Sequence, residues 1–509
     1  MTLALTGLGL ATALELLLWI RALWRLRSIL ASLAIASLGV GSIALIATHP
    51  SFWTVLVLIM SGYRTINMLR VVRGRTMADY LYIVARGTTL WLVLAQTILL
   101  WGAWLTGLYS VRGEAWWYVL AVLELIGALV LARTTIHNSR KAVAPEVAKG
   151  IADKDLPSLT VAIPARNETE DLSACLESLV ASTYPKLEVL VLDDCSQNKR
   201  TPQIIRSFAH AGVRFISGQS APPNWLAKNF AYEQLFNQSN GELILFCGVD
   251  ARFEPESLHN IVTAMLLKKK DMCSIMPANQ RPHGLFQALL QPSRYAWELS
   301  LPRRLINRPP ILSTCWIATR ELIQKSGTFK ATTRSIIPER HLAALATNHD
   351  GYSFMQSNTA LGVSNDKAFS EQRDTAIRTR YPQLHRRPEL TCFHGVITLL
   401  VLVVPYVVLA RALLVHQAML AMLAVLTVAS LTIFYSEIVT ITYRRLLLRS
   451  LWTLPLAAIY DVALLNYSMW KYEFSTVLWK GRNVCIPVMH VIPHLPPLDN
   501  PAETRSIHS

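Results

Sequence analysis

The sequence predicts an α/β domain set between two groups of membrane-spanning helices. Runs with β-strand character alternate with helical spacing in the middle of the chain, and long apolar runs lie on either side. The hydrophobic content is 52% over 509 residues, which is high for a soluble protein. We expect a helical region, the α/β domain, a second helical and interfacial region, and a loose tail at 1–140, 150–390, 391–490 and 491–509.

Five apolar runs in the first 140 residues each have about the length that spans a hydrocarbon core. No basic residue precedes the first run and no small-residue cleavage site follows it, which favours an uncleaved helix over a signal peptide. Glu15 and Glu124 lie inside runs, where a carboxylate needs another helix or a cavity. Contacts between helices are the simpler explanation, and lipid handling is the alternative. The runs are 3–20, 29–48, 52–69, 87–108 and 115–133.

Basic residues follow the first, third and fifth runs, whereas the other loops hold few. Because basic loops stay in the cytoplasm, we expect the N-terminus outside, residues 137–390 in the cytoplasm and the protein in the inner membrane. The net charge of +16 then reflects basic loops beside the membrane, so nucleic acid is not an expected partner. The basic residues are Arg21, Arg25, Arg27, Arg70, Arg73, Arg75, Arg140 and Lys141.

A βαβ unit opens the central domain. The runs 161–168 and 187–194 have strand character and end in polar residues, and apolar residues recur between them at helical spacing. Ligands of open α/β sheets bind beyond the carboxyl ends of the strands. We therefore expect an acidic pocket that suits a nucleotide, or a cation that holds its phosphates, lined by Asn167, Glu168, Asp193 and Asp194.

Two apolar runs, 395–415 and 417–440, predict a membrane hairpin after the α/β domain. A third run, 451–470, contains polar residues and a proline. A full crossing there would place the segment 479–482 outside the cell. We expect an interfacial element, a re-entrant element or a hairpin over 451–478, and the number of helices stays open.

Five segments in a consistent order resemble the family 2 glycosyltransferases with a GT-A (Rossmann-like) fold. The first strand ends in a Pro-x-x-Asn-Glu pattern, and the second ends in Asp-Asp. A Trp-x-Ala-Lys segment is similar to the Trp-x-Gly-Lys element of the lipid-directed membrane branch, and a Trp-Lys-Gly-Arg segment to one in hopanoid-, carotenoid- and ceramide-type members. The segments are 164–168, 193–194, 224–229, 241–253 and 479–482.

The resemblance implies an inverting glycosyltransferase that moves a sugar from a nucleotide-sugar donor to a membrane lipid or polyprenyl-type acceptor. It also implies Mg²⁺ or Mn²⁺ to neutralise the leaving diphosphate. The metal motif reads Gly248-Val249-Asp250, so its first Asp is missing and Asp250 remains as the metal ligand; capping of the following turn is its plainer role.

The resemblance further implies a set of donor-binding residues. For each of them an ordinary role in a strand end, a turn, a loop or the surface is the alternative. The set is Pro164, Arg166, Asn167, Glu168, Asp193, Asp194, Lys228 and Arg386.

Glu339 takes the position of the family's catalytic Asp, as the Leu342-Ala343 that follows it indicates. A carboxylate there would accept the proton of the attacking hydroxyl. Pro338 and Glu339 also suit an ordinary helix N-terminus, and His341 is an alternative base.

Two further segments are implied by the resemblance. Gln383 and Arg386 match a Gln-x-x-Arg-Trp element in which Arg387 replaces the Trp. Arg386 would pair with the diphosphate, or it belongs to a basic segment beside the membrane. Trp479 and Arg482 belong to the C-terminal Trp-Lys-Gly-Arg element.

Two other functions stay open. Gly248, Ala227 and Glu339 replace the usual residues, which is typical of a catalytically silent relative that acts as a membrane scaffold or binding subunit. A transporter with a regulatory cytoplasmic domain is the third possibility, although the apolar runs lack paired broken helices. The sugar, the lipid and the oligomeric state are not indicated by the sequence.

Overall fold

A computed structural model of the chain describes residues 2–18, 21–48, 52–73, 96, 115–144, 151–279, 293–300, 309–365, 368–443 and 453–484. Apart from Gln96, the apolar run expected at 87–108 lies outside these residues, and so does the expected tail.

Four helices form the described N-terminal region: α1 (Thr2–Leu17), α2 (Arg27–Thr48), α3 (Phe52–Arg73) and α4 (Ala115–Lys141). They confirm four of the five apolar runs as helices. The helices α3 and α4 end later than predicted, because helical hydrogen bonding continues beyond the apolar stretch into basic residues. Gly7 of α1 faces Gly41 of α2, where an added Cβ would lie 2.7 Å from the Gly41 Cα. Small residues thus allow these two helices to approach closely.

Glu15 pairs with Arg64 at 2.9 Å, which joins α1 to α3. Both side chains are buried, and Arg64 also donates to Thr12 at 2.8 Å and to Gln96. The contact between helices that was the simpler explanation for Glu15 is therefore observed. Glu124 is also buried, but neither of its carboxylate oxygens makes a hydrogen bond within the described part of the chain.

The described part of the α/β domain contains ten strands: β1 (Leu159–Ala165), β2 (Leu187–Asp193), β3 (Val213–Ser217), β4 (Leu243–Cys247), β5 (Ala251–Phe253), β6 (Met272–Met276), β7 (Ala278–Asn279), β8 (Cys315–Thr319), β9 (Tyr352–Gln356) and β10 (Val363–Asn365). Seven of them form a mixed sheet in the order β3-β2-β1-β4-β8-β6-β9, in which only β8 runs antiparallel to its neighbours. A small sheet, β5-β10-β7, stands beside it.

The described part of this domain includes the helices α5 (Glu170–Val180), α6 (Arg200–Ser207), α7 (Ala227–Gln238), α8 (Ser257–Leu267), α9 (Arg320–Lys325), α10 (Glu339–Asn348) and α11 (Phe369–Gln383), and residues 293–299 are also helical. The predicted βαβ unit is β1-α5-β2, with its strands parallel. The α/β class predicted from the sequence is therefore confirmed.

Both faces of the main sheet are buried, as is usual where parallel strands predominate. Val161 and Ile163 of β1 pack with α5 and α8 on one face. Ala162 of β1 and Phe246 of β4 pack with α7 and α10 on the other. The polar residues that follow β1, β2 and β4 are thus held at one edge by a rigid core.

Among the residues described after the domain there are four helices: α12 (Pro388–Leu402), α13 (Val404–Leu414), α14 (Ala418–Thr442) and α15 (Leu454–Phe474). The first apolar run was predicted at 395–415, but its helix begins at Pro388 and is divided at Val403. Pro388 suits the first turn of a helix, and Pro405 lacks the N–H that a continuous helix would need.

Among the described residues, four helices are long and apolar enough to cross a membrane: Arg27–Thr48, Trp117–Lys141, Pro388–Leu414 and Ala418–Thr442. The helix α14 packs against α1, α4 and α13, so the N-terminal and C-terminal helices form one bundle. Ser139 of α4 donates to the Glu437 carboxylate of α14 at 2.5 Å. The bundle meets the domain where Asn138 donates to the Leu299 carbonyl at 2.7 Å.

The helix α15 lies along α11 of the α/β domain. Arg380 of α11 pairs with Asp461, and the Tyr472 hydroxyl donates to the Arg378 carbonyl at 2.8 Å. A hairpin of β11 (Leu478–Trp479) and β12 (Arg482–Asn483) follows. Within 451–478 the structure has one helix, α15, packed against the domain. This agrees with the interfacial element, which was one of the three expected arrangements. The helix exposes a single stripe of large apolar side chains: Leu456, Ile459, Tyr467, Trp470 and Phe474.

Candidate active site

The loops after β1 and β2 are tied together by Arg166 and Asn167. The Arg166 guanidinium donates to the carbonyls of Asp194 at 2.6 Å and Cys195 at 2.5 Å. Asn167 has a φ of 50° and accepts the Gln197 N–H at 2.8 Å. The alternative loop role of these two residues is therefore realised, and it fixes the edge where a donor nucleotide was expected.

Pro164 and Asp193 have local roles in the strand ends. Pro164 lies opposite Leu192 of β2. The pairing of β1 with β4 has already ended at Ala162, so the missing N–H of Pro164 removes no hydrogen bond to β4. Asp193 accepts the N–H of Ser196 at 3.2 Å, which is the turn role.

The C-terminal hairpin reaches back to this edge. Arg482 contacts both carboxylate oxygens of Asp194 at 2.7 Å, and Lys480 pairs with Glu168 at 2.9 Å. Arg166 donates to the Lys480 carbonyl at 3.1 Å. The turn between the strands is tight, with left-handed φ at Lys480 and Gly481. The hairpin thus lies against the edge where the nucleotide pocket is expected.

The carboxylates at this edge are buried beside cations. Burial raises the pKa of Asp194, against the opposing effect of Arg482 and Arg166. Burial also raises the pKa of Glu168, against the hydrogen bond from Lys480. Both groups are hydrogen-bond acceptors held in place by a segment far along the chain. Lys480 was not among the predicted site residues, since nothing in the sequence brings it near Glu168.

Lys228 and Glu339 come together across the domain. The Lys228 ammonium lies 3.4 Å from Oε1 of Glu339, and burial lowers the pKa of Lys228 while Glu339 opposes that shift. The Asn229 amide donates to the carbonyls of Thr332 at 2.7 Å and Ser335 at 2.8 Å. It therefore holds the loop that leads to Glu339. Asn229 was not predicted; a polar residue on the inner side of a helix is the signal that marks it.

Glu339 is the first residue of α10 and is fully buried. Its Oε1 contacts Lys228, and its Oε2 makes no hydrogen bond to any described residue. The alternative base His341 is exposed and lines a cavity whose wall does not include Glu339. Glu339 thus occupies a helix N-terminus and also presents one oxygen without a hydrogen bond.

Asp250 lies between β4 and β5, with its carboxylate folded over Gly248. A Cβ added to Gly248 would overlap Oδ1 of Asp250, so an Asp at position 248 would displace that carboxylate. In the described ranges no group of three or more His, Cys, Asp or Glu is placed to hold a metal ion. One carboxylate with the phosphates of a donor still fits the way Mg²⁺ is usually bound.

A cluster of cations surrounds Asp250 and Glu339. The positive charges of Arg378 and Arg294 contribute to lowering the pKa of Lys228, and the negative charge of Asp250 opposes the lowering of the pKa of Arg378. Burial is the main cause that lowers the pKa of Arg378 to about 10. The Arg378 guanidinium lies 5.3 Å from the ring centroid of Trp479. Arg378 was predicted only as part of a basic segment, because a run of arginines does not reveal which one turns inward.

Gln383 and Arg386 line a cavity of about 650 Å³ between α10 and the end of α11. The Arg386 guanidinium lies 4.8 Å from the ring centroid of Tyr472. We call this the basic cavity, and the arginines and histidines that line it are Arg334, Arg340, His341, His385 and Arg386.

Residues 160–327 match the family model described as glycosyl transferase family 2. The chain contains a glycosyl transferase family 2 domain. The matched stretch holds the segments from Pro164 to Asp250 and the mixed sheet that carries them, so a GT-A-like α/β fold is supported. Glu339, Arg386 and the hairpin lie beyond it.

Three proteins are similar over shorter stretches. The chain is 35% identical to the probable glycosyltransferase YdaM of Bacillus subtilis over 108 residues and 34% identical to the glycosyltransferase AglE of Haloferax volcanii over 99 residues. It is 28% identical to an N-acetylglucosaminyltransferase of Rhizobium leguminosarum bv. viciae over 148 residues. These stretches cover 21, 19 and 29% of this chain and 25, 31 and 34% of the relatives.

Two solved structures are also similar. The mannosyltransferase PcManGT from Pyrobaculum calidifontis, in complex with GDP-Man and Mn²⁺, has a TM-score of 0.41 and 16% identity over 70% of this chain and 100% of its own. Residues 1–349 of S. aureus TarS, in complex with UDP-GlcNAc, have a TM-score of 0.28 and 16% identity over 54% of this chain and 90% of their own.

Three ion pairs at the candidate site join the family 2 domain to α10 and the hairpin. Lys228, inside the matched stretch, contacts Glu339, Asp194 contacts Arg482, and Glu168 contacts Lys480. The site therefore combines residues of the matched stretch with residues of α10, α11 and the hairpin.

Proposed function

We propose that the protein is an inverting glycosyltransferase that transfers a sugar from a nucleotide-sugar donor to a membrane lipid or polyprenyl-type acceptor. The observation that carries the proposal is the buried Glu339 carboxylate, which is held by Lys228 and keeps Oε2 without a hydrogen bond among the described residues. It belongs to a chain with a family 2 domain and lies within a cluster of cations suited to a diphosphate.

In the proposed reaction the acceptor hydroxyl attacks C1 of the sugar from the face opposite the nucleoside diphosphate. The new bond joins C1 to the acceptor oxygen, and the hydroxyl proton passes to Oε2 of Glu339. The bond between C1 and the diphosphate oxygen breaks, and its electron pair leaves on the diphosphate. The configuration at C1 is inverted. Lys228 holds the other oxygen, Oε1, of the Glu339 carboxylate.

The leaving diphosphate needs positive charge around it. Lys228, Arg294 and Arg378 supply fixed cationic groups on the side of Asp250 and Glu339. A Mg²⁺ or Mn²⁺ ion held by Asp250 and the donor phosphates would add charge neutralisation. The base and ribose of the donor would lie at the edge formed by Arg166, Asp194 and the hairpin, next to the Asp194 carboxylate that Arg482 holds.

The membrane assignment rests on composition and exposure. Within the described ranges four helices have the length and hydropathy of membrane spans, and α15 exposes a stripe that includes Tyr467 and Trp470. Aromatic side chains of this kind favour the membrane interface. We propose that α15 lies on the cytoplasmic surface of the inner membrane and that the α/β domain faces the cytoplasm.

A second candidate function is a catalytically silent subunit, which Gly248 in place of the family's first Asp favours. One assay separates the two. Membranes from cells with and without the protein are supplied with a panel of radiolabelled nucleotide sugars, and the lipids are extracted. The enzyme predicts protein-dependent label in the organic phase from one donor. A subunit that binds nucleotide sugars but yields no labelled lipid would contradict the enzyme proposal.

A further inference from the structure

The basic cavity has an unusual charge composition. Three arginines and two histidines are among its eleven lining residues, and none of the eleven is acidic. The uncharged residues Ser335, Ile336 and Ile337 complete the wall on the side of α10. A concave site of this kind favours an anion that offers several oxygen atoms, because guanidinium groups bind phosphate oxygens through two donors.

The wall that carries Arg386 is held in one conformation. His385 and Arg386 are consecutive residues in the left-handed region, with φ of 58° and 55°, which costs energy in residues other than glycine. The fully buried Tyr381 hydroxyl lies 2.9 Å from the Arg386 carbonyl and 2.6 Å from Glu473 of α15. The packing of α11 on α15 therefore positions this turn.

The cavity also lies where the domain meets the first C-terminal apolar helix. The chain runs from Arg386 into α12 at Pro388, and α12 exposes Phe393, Val396 and Ile397. On the opposite wall, Ser335 to Ile337 lead directly to Glu339. The cavity thus lies between an apolar helix surface and the start of the helix that carries the proposed base.

We propose that the basic cavity binds the phosphate group of an anionic lipid headgroup, and that the acceptor of the transfer is a phosphate-bearing lipid. The part on the acceptor rests on the proposed function. A lipid is favoured over free phosphate as the source of the anion, because the exposed apolar residues of α12 offer a surface for acyl or isoprenoid chains next to the cationic wall.

The test uses the purified full-length protein in detergent and three probes: dihexanoyl phosphatidic acid, dihexanoyl phosphatidylcholine and inorganic phosphate. Binding is measured by calorimetry for wild type and for the double variant R334Q/R386Q. The matched control is R200Q/R206Q, which removes two exposed arginines of α6 beside the other end of the sheet. Arg334 is exposed, so R334Q alone keeps the test available if the double variant fails to fold.

We expect wild type and R200Q/R206Q to bind phosphatidic acid at least about tenfold more tightly than the other two probes. R334Q/R386Q should lose at least about tenfold in affinity for phosphatidic acid. Equal affinity for inorganic phosphate and phosphatidic acid would overturn the lipid assignment. Equal affinity of R334Q/R386Q and R200Q/R206Q for phosphatidic acid would overturn the site.

The same preparations distinguish this inference from the proposed function. If no nucleotide sugar yields labelled lipid but the binding pattern holds, the glycosyltransferase proposal fails and the cavity remains a site for an anionic lipid. If lipid is glycosylated while R334Q/R386Q binds phosphatidic acid as wild type does, the cavity proposal fails and the enzyme proposal stands.

Discussion

Asp250 and Gly248 decide how a cation would be bound. The Asp250 carboxylate uses the space above Gly248 that a side chain would fill, so one carboxylate replaces the usual pair. We predict that EDTA abolishes sugar transfer, that Mg²⁺ or Mn²⁺ restores it, and that Asp250→Ala lowers turnover by about two orders of magnitude or more. Turnover of membranes treated with EDTA and then with each ion measures this. Full activity of Asp250→Ala would contradict the metal role.

Gly248→Ala is a second variant that tests the same metal site. Its new Cβ would push against the far end of a flexible side chain rather than against backbone, so the protein should fold normally while the Asp250 carboxylate moves. We expect a higher requirement for the metal ion with little change in thermal midpoint. An unchanged metal requirement would show that the position of Asp250 over Gly248 has no importance.

Single residues were predictable where a known pattern fixes them. Lys228 and Glu339 were each predicted from their own segments, and the structure adds that they contact one another. Arg378 was not predicted as a site residue because it lies among other arginines, and Lys480 was not predicted because nothing in the sequence brings it near Glu168. Which of several cations turns inward depends on packing, here that of α15 on α11, which periodicity does not reveal.

At the scale of elements, the C-terminal hairpin is held by Arg482 on Asp194 and Lys480 on Glu168. We predict that Arg482→Ala raises amide hydrogen exchange over residues 478–484 at least about tenfold, since a largely buried charge pair loses one partner. Exchange followed by mass spectrometry on the full-length protein measures this. The exposed Leu478 of the same hairpin supplies the control, and Leu478→Ala should leave exchange unchanged. Equal protection in wild type and Arg482→Ala would contradict the role of the pair.

The N-terminal helices offer a second prediction at this scale. Glu15→Ala leaves the buried Arg64 without its carboxylate, which should lower the free energy of unfolding by about 3–5 kcal/mol. Glu124→Ala removes a buried carboxylate that has no hydrogen bond to described residues, so it should be neutral or stabilising. Thermal midpoints of the detergent-solubilised variants compare the two. Similar destabilisation by both substitutions would contradict the distinction.

Elements were predictable where apolar periodicity is strong and less so at their ends. The β1-α5-β2 unit and four apolar runs follow from pattern alone. The division of the run near Val403 was missed, although Pro405 was the available signal. The path of α15 stayed open in the sequence, because a helix with one apolar stripe and several polar residues suits more than one environment.

For the whole molecule, the association of the two helical regions could not be predicted. Their order along the chain is visible in the sequence, but α4 and α14 lie almost 300 residues apart and share no pattern that pairs them. In the structure they pack together and carry the contact between Ser139 and Glu437. The N-terminal helices therefore complete the helical bundle, and α4 of that bundle contacts the α/β domain.

Orientation is the prediction at this scale. Cys195 is half-exposed in the α/β domain, whereas Cys273 is fully buried and cannot report on topology. In intact cells, a membrane-impermeant maleimide should label Cys195 only after lysis. Thr48→Cys, at the exposed end of α2, is the positive control and should be labelled without lysis. Labelling of Cys195 in intact cells would reverse the proposed topology.

The central claim is that Glu339 is the base of a sugar transfer. The most direct measurement compares donor binding with the transfer rate of purified Glu339→Gln, using the donor identified by lipid labelling and Glu339→Asp and His341→Ala as companions. We predict donor affinity close to wild type and transfer at least about 100-fold slower for Glu339→Gln, because a carboxamide cannot accept the proton. His341→Ala should be mild, and Glu339→Asp should keep partial activity only if the backbone adjusts. Transfer by Glu339→Gln at the wild-type rate would contradict the account.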